Sequence, residues 1–487
     1  MTRPDLASLG RGTSWEGIRA VVGGLGVSGF AAADTLQHLG AEVIALDDGD
    51  DDRLGEKATL LEILGVDVRI GPGSTATLPD GVDLVVTSPG WSPSTPILLE
   101  AAGRGVPTWG EVELAWRLRG EDAAPWLAVT GTNGKTTTVQ MLESILRAEG
   151  LNAIAVGNVG TPVLEAVMNP DPFDVLAVEL SSYQLHGSSS ISAEASVVLN
   201  VAPDHLDWHG GIDAYTADKA RVYDRTRLAC VYNVQDPVTE RLVEEADVIE
   251  GCRAIGFTLG IPAAGMIGLV DDAIADRAFI AGRVSSAAEL GTIHDLARTG
   301  EETPAPHIVA NALAAAALSR AHGVSARAVR DGLRTFTPDS HRIAQIDRID
   351  DIGYVDDSKA TNPHAAQASL QSFEHVVWVA GGLTKGASFD ELVIAARDRL
   401  RAVILIGADR AVIAEALARH APDVPVVEVD TGDTDPMDRV VEVAASFARQ
   451  GDTVLLAPGG ASMDQFRNYA ARGDSFAAAV HRLRGGS

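Results

Sequence analysis

The sequence predicts an α/β protein of three domains, each built around a parallel β-sheet covered by helices. Short apolar runs such as "VDLVVTSPG", "DVLAVELSS" and "AVILIGA" alternate with longer amphipathic stretches along the chain. Within each run the apolar residues are continuous, which is typical of strands buried on both faces of a parallel sheet. The runs end in Gly, Ser, Asp or Pro, and ligands of such sheets bind beyond the carboxyl ends of the strands. Those polar ends are therefore where we expect the functional residues.

The chain divides into three predicted βα blocks. Its 487 residues are enough for several domains of roughly 100–200 residues each. The polar stretch "RLRGEDAAP" separates the first block from the second, and the third begins near "PDSHR". We therefore predict domains at residues 1–120, 121–338 and 339–487. The less regular segment 256–302 predicts hairpins within the second block.

Charge and composition exclude several classes of partner. The net charge of −28 argues against nucleic acid and against an anionic membrane surface, although a local basic site can still bind a small anion. No run of 18 apolar residues predicts a membrane span, and the opening "MTRPDLASLGRGTSW" has no apolar signal region. Cys230 and Cys252 are the only cysteines, which fits a reducing compartment. We expect a cytoplasmic location.

The first block contains a glycine fingerprint. In "GGLGVSG", Gly24, Gly26 and Gly29 satisfy G-x-G-x-x-G after a strand, and Asp47 closes the next strand. Taken alone, this pattern indicates a dinucleotide site and favours an NAD-dependent dehydrogenase. The same placement of a pyrophosphate at a helix N-terminus can hold a UDP-sugar. The pattern leaves both alternatives open.

The second block opens on an unusual phosphate loop. In "WLAVTGTNGKTTT", Val129 stands where the G-x-x-x-x-G-K-[ST] pattern has glycine, and Gly131 follows two residues later. A strand, a glycine-rich turn and a helix ending near Gly150 nevertheless give the context that such a loop requires. Backbone N–H groups and the helix dipole face an anion there, Lys135 adds a charge, and the Thr136 hydroxyl can bind Mg²⁺.

Three further polar side chains bear on the chemistry, and one of them, Glu179, suits a metal ion. Glu179 lies at the end of the strand in "VELSSYQL", and a carboxylate there suits Mg²⁺. His205 ends the run "LNVAPDH" among acidic neighbours, and Lys219 lies on a predicted helix. On the residues alone, His205 is also compatible with a structural histidine and Lys219 with a solvated helix face.

The loop "GTNGKTTT" resembles the ATP loop of the Mur ligase family and of the related folylpolyglutamate synthetases, which use G-T-N-G-K-[ST]. The resemblance extends in family order from Gly24 to Asp474. It implies a Rossmann-like UDP-binding domain, a central P-loop-type ATPase domain with a parallel sheet, and a C-terminal Rossmann-like α/β domain. The implied ATP contacts in this loop are Gly131, Thr132, Asn133, Gly134, Lys135, Thr136 and Thr137.

The resemblance also implies a metal centre. Thr136 and Glu179 correspond to positions near one Mg²⁺, and His205 to a position near a second. Lys219 matches a lysine that is carbamylated in the family, a change that turns an ammonium into an anionic oxygen donor. Asn158, at the end of "AIAVGN", matches an asparagine facing the muramoyl part of the substrate, although a turn asparagine is equally compatible with the sequence.

Further motifs complete the implied nucleotide site. The helix in "APHIVANALAAAAL" resembles an H-N-x-x-N element in which Asn311 matches and Ile308 replaces the first asparagine. Arg342 in "SHRIAQI" matches an arginine that faces the γ-phosphate. Asp357 begins "DSKATN", a motif of the family members that add D-glutamate.

Two substrate sites follow from the same resemblance. The implied D-glutamate pocket consists of Lys359, Thr361, Lys385, Ser462 and Tyr469. Cations with hydroxyl donors suit a dicarboxylate. The implied UDP contacts are Val27, Ser28, Asp47, Asp48 and Ser88. After the second strand the chain reads "LDDGDDD", without the arginine that often follows there in the family.

The function implied is an ATP-dependent amide ligase that adds D-glutamate to UDP-N-acetylmuramoyl-L-alanine through an acyl phosphate, in peptidoglycan precursor synthesis. Lys135, His205, Lys219 and Arg342 are the implied catalytic residues, with ATP and two Mg²⁺ ions. We expect a monomer that binds neither nucleic acid nor membrane. A folylpolyglutamate-synthetase-like ligase and an NAD-dependent dehydrogenase are the alternatives.

Overall fold

A computed structural model describes residues 5–120, 122–158, 160–296, 304–337, 340–429 and 436–485. The chain forms two compact units. The first comprises Met1–Val201 and Asp213–Phe336, and the second comprises Ala202–Ile212 and Thr337–Ser487. The domain boundaries expected at 120/121 and 338/339 involve residues 121, 338 and 339, which lie outside the described residues, so those boundaries stay predictions.

Helices and strands alternate along the chain, as the apolar runs predict. The elements of the first block are β1 (Arg19–Gly23), α1 (Val27–His38), β2 (Glu42–Asp47), α2 (Asp52–Ile63), β3 (Asp67–Ile70), β4 (Leu84–Thr87), α3 (Pro96–Gly103), β5 (Thr108–Gly110) and α4 (Glu111–Leu118). Those of the second are β6 (Trp126–Thr130), α5 (Lys135–Ala148), β7 (Ala153–Gly157), α6 (Val163–Met168), β8 (Val175–Glu179), α7 (Ser182–His186), β9 (Ala195–Val198), α8 (Leu206–His209), α9 (Ile212–Ala220), β10 (Ala229–Asn233), α10 (Pro237–Glu244), β11 (Arg253–Phe257), β12 (Met266–Val270), β13 (Ala273–Asp276), β14 (Ala288–Thr292), α11 (Pro306–Ala321) and α12 (Ala326–Thr335). Those of the third are β15 (Ala344–Ile349), β16 (Ile352–Asp356), α13 (Pro363–Gln371), β17 (Val376–Gly381), α14 (Asp390–Ala396), β18 (Leu400–Ile406), α15 (Arg410–His420), β19 (Val426–Glu428), α16 (Pro436–Phe447), β20 (Thr453–Gly459) and α17 (Tyr469–Gly485).

The first sheet has the strand order β3-β2-β1-β4-β5, and all its pairs are parallel. The order reverses direction at β1, so the loops after β1 and β4 leave the sheet side by side. That switch point is where ligands bind in doubly wound sheets. The Rossmann-like first domain expected from the sequence is confirmed.

The central sheet has the order β14-β13-β12-β11-β10-β9-β6-β8-β7. The strands from β7 to β12 pair in parallel, whereas β12, β13 and β14 form an antiparallel extension. The hairpins expected in segment 256–302 are confirmed as far as β14; residues 297–302 lie outside the described residues. The strand before the phosphate loop, β6, therefore lies inside the sheet between β8 and β9.

The third sheet has the order β15-β16-β20-β17-β18-β19, with β15 antiparallel at one edge and the other pairs parallel. The strands β17, β18 and β20 are almost wholly buried, and the buried Trp378 indole donates to the Ala457 carbonyl at 2.7 Å. All three blocks are thus α/β, as expected. Among the described residues, no helix is both long enough and apolar enough to cross a lipid bilayer.

Two helices hold α5 in place behind the phosphate loop. The alanine-rich α11 packs against it, and Ala312 and the run Ala314–Ala317 are fully buried. On α12, a side chain at Gly332 would clash with the backbone of Ile145, so glycine permits close contact between the helices. The Ser144 hydroxyl seals this contact by donating to the Gly332 carbonyl at 2.7 Å. Close packing of this kind makes the helix that carries the loop rigid.

Buried carboxylates on α4 join the first sheet to the central one. Glu113 accepts from the backbone N–H groups of Ser189 and Ser190, at 2.7 and 3.0 Å, and from their hydroxyls. Glu111 accepts from the Leu164 N–H at 2.7 Å, and its other oxygen is buried with no hydrogen-bond partner in the described structure. Burial raises the pKa of Glu111 to about 7, and the charge of Glu165 adds to this shift.

Candidate functional site

The central phosphate loop joins β6 to α5 and depends on two glycines. Gly131 has φ 151° and Gly134 has φ 85°, both in the region where glycine is favoured. Gly134 also lies directly beneath the Asn311 side chain of α11, and a Cβ at Gly134 would overlap the Asn311 amide. The loop geometry therefore requires the glycine spacing found in this sequence. Asn311, expected near the nucleotide, touches the loop.

Side chains from the segment just after β9 and from α9 hold the loop in shape. The Asn200 amide accepts from the Asn133 N–H at 2.9 Å and donates to the Asn133 carbonyl at 3.1 Å. The Thr132 N–H donates to the Asn200 carbonyl, and the Thr132 hydroxyl lies 3.0 Å from the Tyr215 hydroxyl. Sequence reasoning missed Asn200 and Tyr215. Asn200 follows the apolar run "SVVL" directly, and this position at a strand end was the available signal.

Two lysines converge on one loop carbonyl. The Nζ atoms of Lys135 and Lys219 each donate to the Gly131 carbonyl oxygen at 2.9 Å, and Lys135 donates also to the Thr132 carbonyl at 2.9 Å. Lys219 is 1% exposed, and its Nζ lies 4.5 Å from the centroid of the Tyr215 ring. The two lysine side chains therefore meet at the first carbonyl of the phosphate loop.

Glu179 has the features of a metal-binding carboxylate. It is 1% exposed at the carboxyl end of β8, and its Oε1 accepts from the Asn158 amide at 2.9 Å. Its Oε2 is buried and finds no hydrogen-bond partner among the described residues. Buried polar atoms are nearly always paired, and a free carboxylate oxygen suits a hard cation. Asn158 thus orients Glu179, a contact that sequence reasoning did not foresee.

The threonines at the start of α5 lie close under the loop. Thr136 and Thr137 are 6% and 3% exposed, and the Thr138 hydroxyl donates a hydrogen bond to the Gly134 carbonyl at 2.9 Å. The described residues contain no group of three or more His, Cys, Asp or Glu side chains placed to hold a metal ion. Any Mg²⁺ bound near Glu179 would therefore take its other ligands from hydroxyl, water or phosphate oxygens, which is usual for Mg²⁺.

The glycine loop of the first sheet lies at the switch point between β1 and β4. Gly24 has φ 84°, and a Cβ there would lie 2.8 Å from the Trp91 Nε1 and 2.9 Å from the Ser88 Oγ. The Ser88 hydroxyl donates to the Gly24 carbonyl at 2.8 Å. A Cβ at Gly29 would overlap the Gly24 carbonyl, so α1 and the loop are in backbone contact. Trp91, which sequence reasoning missed, covers the loop just after "TSPG".

The two aspartates expected in this site serve different loops. Asp47 accepts from the N–H groups of Leu25, at 2.7 Å, and Gly49, at 2.9 Å. Asp48 accepts from the Thr75 hydroxyl and N–H, and these bonds lower the pKa of the Asp48 carboxyl. Asp47 therefore lies at the glycine loop, whereas Asp48 is directed to the Thr75 turn.

Val27 and Ser28 form the first turn of α1, after its N-cap Gly26, and the Val27 side chain is 63% exposed. The N–H groups of a helix's first turn have no partner within the helix and can bind an anion. The first sheet thus brings together Val27, Ser28, Asp47 and Ser88 at one edge.

In the second unit, His205 lies in a loop that contacts the third block. His205 has φ 54°, in the left-handed region, and its Nε2 lies 3.6 Å from the Asp204 carboxylate. The Lys385 Nζ pairs with the Asp204 carboxylate at 2.8 Å, and the Asn362 amide donates to the same carboxylate at 3.3 Å. Lys385 also has a positive φ, of 53°. Asp204 therefore joins His205 to the expected glutamate-binding lysine, a link not visible in the sequence.

The aspartate of "DSKATN" is buried beside Arg342. Asp357 accepts from the Ser369 hydroxyl and from the Ile343 N–H, the latter at 3.3 Å. Burial raises the pKa of Asp357 to about 6, and the nearby Arg342 guanidinium opposes that shift. The structure thus brings Arg342 and Asp357 together.

Lys359 and Tyr469 form a cation–π pair, with the Lys359 Nζ 3.9 Å from the ring centroid. The buried Arg472 holds this region by donating to the Ser358 hydroxyl and carbonyl at 2.9 and 2.8 Å. The Ser358 hydroxyl donates to the Tyr469 carbonyl at 2.7 Å. Sequence reasoning missed Arg472, whose role depends on residues more than a hundred positions away in the chain.

Two other residues expected around D-glutamate lie at the ends of this sheet's strands. Thr361 follows β16 and is half-buried, and Ser462 follows β20 and is 4% exposed. Their roles as ligands stay predictions. The first unit therefore assembles the expected phosphate-loop, Glu179 and Lys219 groups. The second unit holds His205, Arg342 and the expected amino-acid-binding residues.

Comparison with known families accounts for most of the chain. A family profile described as Mur ligase middle domain matches residues 129–319, and one described as Mur ligase, glutamate ligase domain matches residues 341–460. The sequence is 60% identical over 471 residues to the UDP-N-acetylmuramoylalanine–D-glutamate ligase of Streptomyces avermitilis, covering 97% of this chain and 99% of the relative. It is 53% identical over 473 residues to the enzyme of the same name from Thermobifida fusca, covering 96% and 99%.

Solved structures share the fold at lower identity. The UDP-N-acetylmuramate-alanine ligase MurC from Thermotoga maritima superposes with a TM-score of 0.56 at 18% identity, covering 96% of this chain and all of that one. The MurF ligase from Thermotoga maritima in complex with ADP gives a TM-score of 0.55 at 16% identity, covering 99% and 100%. FolC from E. coli, in complex with ADP, gives 0.51 at 18% identity over 75% of this chain and 91% of that one.

Proposed function

We propose a function for this chain from one premise: the chain belongs to the Mur ligase family. The proposed reaction joins D-glutamate to UDP-N-acetylmuramoyl-L-alanine in an ATP-dependent amide ligation that releases ADP and phosphate. Near-complete similarity to ligases of that name supports it. The enzyme would act on peptidoglycan precursors in the cytoplasm, as a monomer.

The observation that carries the proposal is the phosphate loop with two lysines on one carbonyl. Gly131 and Gly134 shape the loop, Lys135 adds positive charge to it, and the Lys219 side chain ends at the same carbonyl. In a dinucleotide site the diphosphate only anchors the cofactor, because the hydride is transferred at the nicotinamide ring and not at the phosphates. Transfer of a phosphoryl group moves charge between oxygens, and fixed cations stabilise that transition state.

The proposed chemistry has two steps. A carboxylate is a poor acyl donor, so a carboxylate oxygen of the L-alanine moiety first forms a bond to the γ-phosphorus of ATP. The bond from that phosphorus to the β–γ bridging oxygen breaks, and ADP leaves. The D-glutamate amine then attacks the acyl carbon, the carbon–oxygen bond to phosphate breaks, and the amine loses a proton. Lys135 and Arg342 would offset the negative charge on the phosphoryl oxygens.

The residues around Glu179 fit Mg²⁺. The unpaired Oε2 of Glu179 and the Thr136 hydroxyl would hold one ion, and His205 with a carbamylated Lys219 would hold a second. When bound, Mg²⁺ neutralises phosphate charge and positions oxygens. Carbamylation suits Lys219, because its buried Nζ is otherwise a cation at a cation site. Asn158 orients Glu179 and, in the same position, would face the muramoyl group.

The second unit would bind D-glutamate. A dicarboxylate needs fixed cations and hydroxyl donors, and Lys359, Thr361, Lys385 and Ser462 provide them. The ring of Tyr469 holds the Lys359 ammonium in place at 3.9 Å. The pair between Lys385 and Asp204 would be exchanged for a pair with a substrate carboxylate.

The test is phosphate release from ATP with one candidate acceptor at a time. With UDP-N-acetylmuramoyl-L-alanine present, we expect release only when D-glutamate is added, and the control lacks the UDP-substrate. Release that requires a folate and L-glutamate would instead support the folylpolyglutamate-synthetase-like alternative. Reduction of NAD without any ATP requirement would support the dehydrogenase.

A further inference from the structure

Lysine is rare in this chain and concentrates at the site. Only five of its 39 basic residues are lysines, so surface positive charge is carried by arginine. Four of the five, Lys135, Lys219, Lys359 and Lys385, are residues already placed in the phosphate loop or the amino-acid pocket. The fifth is Lys57, which no motif singles out. Because the other four lysines lie at proposed sites, Lys57 is a candidate for a site of its own.

Lys57 lies on α2 and reaches the glycine loop of the first sheet. Its Nζ donates to the Leu25 carbonyl at 2.9 Å, and it is half-buried there. The N–H of the same residue, Leu25, donates to Asp47 at 2.7 Å. The Asp47 and Lys57 side chains therefore bind the N–H and the carbonyl of one loop residue, Leu25, immediately before the first turn of α1. The contact parallels that of Lys135 with the Gly131 carbonyl in the central loop.

Acidic residues lie close to this loop, so a cation there would favour the binding of an anion. Five aspartates lie between positions 47 and 52, directly after β2. Asp47 lies at the loop itself, so a diphosphate arriving at α1 meets negative charge. An ammonium has three N–H donors, and the structure shows one of them on Leu25.

We propose that Lys57 binds the diphosphate of the nucleotide substrate in the first domain. The proposal rests on the proposed function for the identity of that nucleotide, a uridine diphosphate. The chemistry recognised is a nucleoside diphosphate held by a helix N-terminus and one ammonium. A lysine suits this position because it is a compact point charge that can contact a carbonyl and a phosphate together.

The experiment compares steady-state kinetics of Lys57→Gln, Lys57→Arg and Arg53→Gln in the full chain. Glutamine keeps an N–H donor for the Leu25 carbonyl but loses the charge, and arginine keeps the charge. Exposed Arg53 lies on the same helix and controls for the change in net charge. We expect Lys57→Gln to raise KM for the UDP-substrate roughly ten- to a hundredfold, the range of a charge-assisted hydrogen bond. The KM values of ATP and D-glutamate and kcat should not change.

The other variants separate charge from structure. Lys57→Arg should restore KM to within a few-fold of the wild type, and Arg53→Gln should leave it unchanged. A wild-type KM in Lys57→Gln would overturn the proposal, because the N–H contact alone would then suffice. The proposal would also be overturned if Lys57→Gln lost kcat or thermal stability in proportion to its rise in KM. Lys57 would then have a purely structural role.

Binding assays keep this proposal separate from the proposed function. UDP and NAD are offered to the wild type and to Lys57→Gln, and dissociation constants are measured by calorimetry. Binding of UDP that weakens in the variant supports the proposal. Binding of NAD alone, weakened in the same variant, would sustain a diphosphate role for Lys57 while contradicting the proposed function.

Discussion

Two glycine loops in the first unit use the same backbone device with different side chains. Each follows a parallel strand, turns through a glycine with positive φ, at Gly24 or Gly134, and leads into a helix N-terminus. The loop after β1 is gripped by a carboxylate and a lysine, Asp47 and Lys57. The loop after β6 is gripped by the Asn200 amide and has two lysines at one carbonyl.

The difference matches what each loop is proposed to bind. A diphosphate that only anchors a substrate needs modest compensation of charge, and a carboxylate nearby is tolerable. A triphosphate whose γ-phosphoryl group is transferred needs cations aimed at charge that moves. If the proposed function holds, backbone geometry lets both loops bind anions, and side-chain charge separates the loop that anchors a substrate from the loop where phosphoryl transfer occurs.

Removing the charge of the reacting loop should have the largest effect. We expect Lys135→Ala to lower kcat for ADP formation by at least about a thousandfold, as loss of a transition-state cation does. Binding of the UDP-substrate should stay near the wild-type level, since that loop is separate. Calorimetry with UDP and a coupled ADP assay measure the two quantities. Equal losses in both would break the distinction between the loops.

The glycines test the backbone side of the comparison. A methyl group at Gly29 meets the backbone carbonyl of Gly24, whereas one at Gly134 meets the Asn311 side chain. A side chain can move and a packed backbone cannot, so Gly29→Ala should destabilise the protein by more than about 3 kcal/mol. Gly134→Ala should cost about 1–2 kcal/mol, from its positive φ and the displaced amide.

Unfolding in urea, followed by circular dichroism, compares the two glycine variants. Gly26→Ala is the matched control, because a Cβ at Gly26 meets no atom within 4 Å and Gly26 has a negative φ, of −59°. If Gly29→Ala proves no less stable than Gly134→Ala, the two loops do not differ in backbone packing in the way inferred here.

Local pattern was enough to predict both loops and the strands that carry them. Continuous apolar runs such as "WLAVT" form buried strands whatever their position in the sheet. Such strands can therefore be predicted without knowing the strand order. The partners that hold the loops were not readable. Asn200 meets Asn133 across 67 positions because β9 lies beside β6, and strand order is not encoded in a local pattern.

Trp91 and Lys57 were missed for the same reason. Trp91 comes to the loop through pairing of β4 with β1, and Lys57 through packing of α2 against α1 and β3. Neither belongs to a spaced motif. The rarity of lysine was a compositional signal that could have found Lys57 without the structure.

The free energy of unfolding should depend on pH through Glu111, which joins the first sheet to the central one. Burial raises the pKa of Glu111 to about 7, above that of an exposed glutamate, so the folded state holds its proton more tightly than the unfolded state. The stabilisation from this proton is present at low pH and is lost as pH rises through about 7. The loss amounts to about 3 kcal/mol.

Glu111→Gln isolates this effect, because glutamine keeps the acceptor for the Leu164 N–H and does not titrate. Urea unfolding at pH 5.5 and pH 8 should show a difference for the wild type that is reduced in the variant. Glu113 serves as the contrast: its pKa is lowered by hydrogen bonds from Ser189 and Ser190, against the effect of burial. An unchanged pH dependence in Glu111→Gln would assign the effect to other groups.

The smallest expected effect concerns the pair of hydrogen bonds between Asn200 and Asn133, here called the clamp, which holds the central loop. Asn200→Ala removes two hydrogen bonds to Asn133 but leaves the Thr132 N–H bond to the backbone carbonyl of residue 200 intact. Each lost bond is worth roughly 1 kcal/mol, so stability should fall by about 1–2 kcal/mol. The loop would also lose order before ATP binds, and KM for ATP should rise several-fold while KM for the UDP-substrate stays constant. Should both KM values rise together, the two loops would be coupled through the unit that carries them, and the clamp could not be a property of the central loop alone.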